Sequence, residues 1–262
     1  MSAALEMLEP CDGKLSRTVL RGEGGREAPA LPGAKERRDM FKLFKKKQPQ
    51  PEIRDVLFGD LPITEWPSES ASSDTEPWVS FAQARHHLNS GQKQEAVDLL
   101  QKILVMPGLE SRHYLQAWHF LREFGIHPDV SVAKELLGVI VEVSLQDGLD
   151  IVAAYTDGTA RYFNQSGAAV IWEAPDDSLH QQIKSVLEAG KVVVDQIGPW
   201  EESRPAAPPK GQARISMLTP SGLHFVQAPF DALATDQLGG AVIASATQLM
   251  QSLITKTEKE KA

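Results

Sequence analysis

Leu136–Ala174 reads LLGVIVEVSLQDGLDIVAAYTDGTARYFNQSGAAVIWEA. Four β-rich runs are separated by Asp147-Gly148, Asp157-Gly158 and Ser166-Gly167. Asp-Gly suits the positive φ of a tight hairpin turn, so the stretch predicts a four-stranded meander. Two-residue loops would set Val143 opposite Val152 and Val141 opposite Ala154. They would set Ala154 opposite Arg161, Arg161 opposite Trp172, and Phe163 opposite both Val152 and Val170. Alternation then predicts a core face carrying Val139, Val141, Val143, Val152, Ala154, Phe163, Val170 and Trp172. Arg161 falls on this face as its one cation. The other face is mixed and holds Ile140, Glu142, Ser144, Ile151, Ala153, Tyr155, Ala160, Tyr162, Ile171 and Glu173. It is either half covered or a surface that meets a partner.

Elements follow on the C-terminal side. Pro175-Asp176-Asp177-Ser178 reads as a helix start, because acidic residues favour the first turn. Leu179, Ile183, Val186, Leu187, Val193 and Val194 continue a helical stripe, and this helix should cover one face of the sheet. Pro199–Gln212 is a proline-rich excursion, followed by a hairpin of Ala213–Leu218 and Leu223–Ala228. A last helix is expected over about Gly240–Ile254. The fold class is therefore α+β, an antiparallel sheet of about six strands packed with helices. Its element order is loosely similar to that of profilin and roadblock-type domains.

On the N-terminal side, Phe81, Ala84, Leu88, Ala96, Leu99, Leu100 and Ile103 recur at helical spacing, with a break at Asn89-Ser90-Gly91. Leu115, Trp118, Leu121 and Phe124 form a further helical stripe. Ala84, Gly91, Ala96 and Leu100 stand where a tetratricopeptide repeat places small, turn and packing residues, and Ala117 follows Ala84 by 33 residues. The segment 78–124 partly resembles that family, which implies a helical hairpin plus a third helix. The chain as a whole is similar to bacterial proteins of no assigned activity, which implies nothing about chemistry.

The 262 residues carry a net charge of −8. Residues 1–51 hold 11 Lys/Arg and 7 Asp/Glu, a balance of +4, and the remainder holds 16 and 28, a balance of −12. An acidic body argues against nucleic acid as a partner. No apolar run reaches the roughly 18–20 residues of a membrane span. The single cysteine, Cys11, offers no disulfide framework and suits a reducing cytoplasm.

The expected organisation is a disordered basic region (1–51), a linker (52–77), the helical segment (78–128), the sheet domain (129–255) and a charged tail (256–262). Within the linker, Ile53–Trp66 is apolar enough to dock on the body as a short extended piece. Residues 1–39 hold no apolar stretch of the secretory kind, and the working protein is expected to begin at Met40. The segment MFKLFKKK places Phe41 and Phe44 beside Lys45, Lys46 and Lys47. Such a basic-apolar segment can lie on an anionic membrane surface.

No phosphate loop or nucleophile elbow is present in the sequence. Five histidines (His86, His87, His113, His119, His127) lie in the helical segment, but Glu110-x-x-His113 occurs once where a carboxylate-bridged metal pair needs two copies. No metal and no cofactor are expected. Ser221 beside His224 is explained by a turn. The reading is a non-catalytic cytoplasmic interaction or regulatory protein with an unknown protein partner, peripheral to the membrane through residues 40–47. The alternative is a small-molecule-binding domain or an enzyme of unfamiliar type. Candidate ligand- or partner-binding residues are Tyr155, Tyr162, Arg161, Trp172, Arg214 and His224.

Overall fold

The computed structural model describes residues 53–65 and 75–259. The basic region 1–51, with Phe41, Phe44, Lys45, Lys46 and Lys47, lies outside the described residues, as does the end of the charged tail. Eight α-helices and six strands are described: α1 (Ile53–Phe58), α2 (Trp78–Asn89), α3 (Lys93–Leu104), α4 (Ser111–Glu123), α5 (Val130–Ala133), β1 (Gly138–Ser144), β2 (Leu149–Tyr155), β3 (Ala160–Phe163), β4 (Ala169–Trp172), α6 (His180–Gln196), β5 (Gln212–Thr219), β6 (Gly222–Pro229), α7 (Phe230–Thr235) and α8 (Gly239–Lys259). The strands form one antiparallel sheet in the order β4-β3-β2-β1-β5-β6. The α+β reading with about six strands is what the fold shows.

Turn length changes the expected register. The connection Leu145–Gly148 pairs Ser144 with Leu149 and Val141 with Val152, a shift of two residues that leaves every side chain on its expected face. At the next turn the Tyr155 amide donates to the Thr159 carbonyl at 3.0 Å, so the loop is Thr156-Asp157-Gly158, with Gly158 at φ +85°. A three-residue loop ending in a left-handed glycine is the usual longer alternative to a two-residue hairpin turn. The extra residue pairs Arg161 with Ala153 rather than Ala154 and turns all of β3 over. Arg161 and Phe163 leave the expected core face, and Ala160 and Tyr162 take their places. Gln165-Ser166-Gly167 adds one more residue at the following turn, where the Asn164 side-chain carbonyl accepts the Ser166 and Ala168 amides. The second slip cancels the first, and Val170 and Trp172 return to the expected face.

The sheet is covered on both sides. Val139, Val141, Val152, Ala154, Ala213, Ile215 and Met217 pack under α6 and α8. Helix α6 sends Ile183, Val186, Val193 and Val194 inward, and α8 sends Val242, Ile243, Ala246, Leu249 and Leu253. The expected helix start at Pro175–Ser178 is a 3-10 turn, Asp177–Leu179, that leads into α6; the Asp176 carboxylate caps this turn by accepting the Ser178 amide at 2.7 Å.

The other face, with Ile140, Ile151, Ala153, Tyr155 and Leu218, packs under Leu57 and Phe58 of α1 and Leu115 of α4. Helix α4 turns its opposite side, Ala117, Phe120 and Leu121, to α2 and α3. Val56, Leu61 and Ile63 enter the same cluster. The segment expected as a short extended piece within a linker therefore does dock, but as a helix followed by a 3-10 turn at Ile63–Glu65.

Helix α6 approaches the sheet closely at Gly190, where a β-carbon would lie 2.5 Å from Val139 Cγ2. Val139 is fully buried and has nowhere to move. The substitution Gly190→Ala is expected to destabilise the chain by roughly 1–3 kcal/mol through overpacking, despite alanine's better helix propensity. A urea melt measures this, and Val139→Ala in the same background should restore part of the loss.

Candidate functional site

The mixed face of the sheet is occupied by the chain itself. Glu142 on β1 is fully buried. It receives Arg54 from α1 in a two-pronged pair, Nε to Oε1 at 2.6 Å and Nη2 to Oε2 at 3.3 Å. Arg214 on β5 stands 3.6 Å from the second carboxylate oxygen. Both guanidinium groups also donate to the Pro205 carbonyl, each at 3.2 Å. Arg214 completes its bonding on the Gln227 side-chain oxygen. In the neighbouring excursion, Arg204 donates to both oxygens of Asp60, at 2.6 and 3.2 Å, and pairs with Asp55. Burial opposes the charge on Arg204, but the two aspartates outweigh it and hold the guanidinium pKa above its ordinary value. The Arg204 guanidinium lies over the Phe58 ring at 4.6 Å.

A second charged group ties α4 to the β2–β3 turn. The Ser111 amide, at the helix start, donates to Asp157 at 2.6 Å, and the Asp157 amide donates to Ser111 Oγ at 3.2 Å. Glu110 accepts Arg112, while Arg161 pairs with Glu173 at 2.8 Å. Burial pushes the Glu110 carboxyl up, but Arg112, His113 and Arg161 outweigh it and hold it below the ordinary range. Burial, aided by the charge of Glu110, pushes the Glu173 carboxyl up. Tyr155, also fully buried, donates to the Leu57 carbonyl at 2.7 Å, and its burial raises the phenol well above the ordinary range.

The six candidate residues are thus distributed between two faces. Tyr155, Arg161 and Arg214 lie on the α1/α4 side with their polar groups committed to this chain. Arg161 is 3% exposed and donates to the carbonyls of Ala160 and Trp172 as well as pairing with Glu173. Tyr162 and Trp172 lie on the α6/α8 side; Tyr162 is 9% exposed and donates to Asp150, and Lys256 sits over the Trp172 ring at 5.4 Å. His224 pairs with Met217 on the same side and is fully buried. Its Nδ1 lies 3.5 Å from Thr219 Oγ1, which in turn contacts Ser221 Oγ at 2.9 Å and donates to the Gly222 carbonyl. Burial lowers the His224 pKa. No group of three or more metal-ligating side chains comes together among the described residues.

A cleft of about 770 Å³ opens where α1, α4, the proline-rich excursion and the β5–β6 turn meet. Its apolar lining comes from Phe58, Leu115, Trp200, Leu218 and Leu223. Four carboxylates (Asp60, Glu123, Glu201, Glu202) and two guanidinium groups (Arg122, Arg204) also line it, a formal balance of −2. Glu201 and Glu202 are exposed. Arg122 donates to the Pro220 carbonyl at 2.6 Å, and burial lowers its pKa to about 10. His119 lies 3.3 Å from Glu123, the i,i+4 pairing that helical spacing anticipates. None of the six candidates lines this cleft.

The cleft residues come from four separated segments, so no local motif announces them. Gly59 marks the bend of the arm: it has φ +60°, and a β-carbon there would meet the Arg112 carbonyl at 2.9 Å. That close approach fixes the arm against α4.

A scan against protein-family models, a search of curated proteins and a search of solved structures each return no match.

Two outcomes test this geometry. Glu142→Gln leaves two buried guanidinium groups without a counter-charge and is expected to cost roughly 3–5 kcal/mol. Thermal melting should show the loss, and limited trypsin digestion should cut faster after Arg54 if α1 loosens. His224 is a base whose folded pKa is depressed, so the unfolded chain binds the extra proton first. Its contribution is present above the unfolded value of about 6.5 and is lost as pH falls through the folded value. Melting temperature followed from pH 7.5 down to about 5 should therefore fall less steeply in His224→Phe than in the parent.

Proposed function

We propose that the chain is a non-catalytic interaction protein that receives its partner in the cleft beside Trp200. The observation that carries this reading is how Trp200 is held. Its amide donates to the Leu223 carbonyl at 2.6 Å, its indole Nε1 donates to the Ser203 carbonyl at 3.1 Å, and its ring meets Phe225 edge-on with centroids 5.2 Å apart. Even so, 40% of the residue is exposed. A large aromatic ring fixed in place and presented at the rim of an apolar cleft loses little entropy on binding, which is the property of an interface anchor. Arg122, half-buried in the cleft, offers an orienting donor.

The single cysteine fits the cytoplasmic setting of this reading. We assign residues 40–47 the role of a contact to an anionic membrane surface, on the strength of their lysines and phenylalanines. A second reading has one observation in its favour. The cleft volume falls within the roughly 300–1,000 Å³ typical of small-ligand sites, so a small molecule is the alternative occupant.

Native mass spectrometry of the untagged protein, purified gently from its host, distinguishes the two. A stoichiometric protein partner that is lost in Trp200→Asp but kept in Val192→Asp supports the interaction reading; Val192 is an exposed apolar control on α6. A small extra mass lost in Trp200→Asp overturns it in favour of a ligand site.

A further inference from the structure

We propose that the basic-apolar segment Met40–Lys47 of the same chain docks in the cleft beside Trp200, so that the protein holds its own membrane-contact segment in reserve. The inference rests on the reading of that cleft as a binding surface and names its resident occupant. Three observations carry it.

Charge is the first. Glu201 and Glu202 stand exposed on the rim and form no ion pair among the described residues. Glu123 also lines the cleft, 3.3 Å from His119 and next to Arg122. Arg204 does not offset them, because Asp55 and Asp60 already take its charge. The segment brings Lys42, Lys45, Lys46 and Lys47. Arg122 opposes a basic occupant, but its guanidinium is turned onto the Pro220 carbonyl near the β5–β6 turn, and Glu123 adjoins it.

Apolar matching is the second. The cleft offers Trp200 and Leu223 above a floor of Phe58, Leu115 and Leu218. Met40, Phe41, Leu43 and Phe44 supply the complementary surface. Aromatic side chains in an apolar floor with lysines on an acidic rim form the usual division of an interface into core and edge.

Reach is the third. The described chain begins at Ile53 in α1, and the C-terminal end of α1, Phe58, already lines the cleft. A helix of this length rises about 8 Å. Residues 48–52 can span up to roughly 20 Å when extended, which suits the prolines at 49 and 51. The segment can therefore reach the cleft of its own chain without displacing α1.

The test is zero-length carbodiimide cross-linking of the full chain, read by mass spectrometry on an equal mixture of light and heavy isotope-labelled protein. Cross-links from Lys45, Lys46 or Lys47 to Glu201 or Glu202 are expected, within light or within heavy chains only. Mixed light-heavy pairs would overturn docking in cis and show that a second copy supplies the segment. Absent cross-links, or cross-links spread equally over remote carboxylates such as Asp177 and Glu188, would overturn the proposal outright. In Phe41→Ala/Phe44→Ala the cross-link yield should fall at least several-fold with an unchanged melting curve, and an unchanged yield would overturn the apolar half of the argument. Cross-links found without any Trp200-dependent partner would sink the proposed function and leave this inference standing. A Trp200-dependent partner found without cross-links would do the reverse.

Discussion

A carboxylate without access to water dictates how the N-terminal half of this molecule attaches to the sheet. Glu142 lies in the middle of β1, between two neighbouring strands, on the face away from α6 and α8. Burying a lone carboxylate costs several kcal/mol even after relaxation. Arg214, one strand away, stands at 3.6 Å and cannot discharge the cost alone. Arg54 closes the gap with a two-pronged pair at 2.6 and 3.3 Å, and it can do so only if α1 lies across the sheet. Around this pair, Arg54, Arg204 and Arg214 are balanced by Asp55, Asp60 and Glu142, three charges of each sign. The cluster is neutral as a whole, and the Pro205 carbonyl takes up remaining donors.

Docking of α1 organises what surrounds it. The arm runs on through Gly59 and Asp60 to Leu61 and Ile63, which enter the core of the α2–α4 layer. Gln116 on α4 bonds both the amide and the carbonyl of Leu61, so the arm is stitched to the helices as well as to the sheet. Asp157 holds the other end of α4 against the β2–β3 turn. The cleft beside Trp200 is what remains where these three pieces, the arm, α4 and the proline-rich excursion, meet at the edge of the sheet. Its position at a junction, rather than on one element, is typical of binding sites.

The meander shows how a small error in loop length propagates. The Asp-Gly and Ser-Gly pairs identify the hairpins, but they do not fix the length or centre of the loop. Each three-residue loop adds one residue and turns the next strand over. Two-residue loops would place Arg161 among the valines of the core face. With the longer loop it lies beside Glu173 and Glu110, where a guanidinium belongs. Tyr155 and Tyr162, which the shorter loops set on one face, stand on opposite faces.

Local sequence carries the class of fold, the number of strands and their hairpin partners, the helices α3, α4, α6 and α8, and the acidic cast of the body, but not the pairing of β1 with β5. These rest on short-range periodicity and turn chemistry, which are written locally along the chain. Long-range packing sets which side of the sheet each β3 residue faces, makes Ile53–Phe58 a helix, and closes the mixed face with the chain's own arm. It alone placed Trp200, Arg122, Glu123 and Leu223 around one cleft. Those outcomes depend on contacts between residues as far apart as Arg54 and Glu142, separated by 88 positions. The energies that select them come from desolvated charge and shared apolar area, and neither has a signature within a window of neighbouring residues.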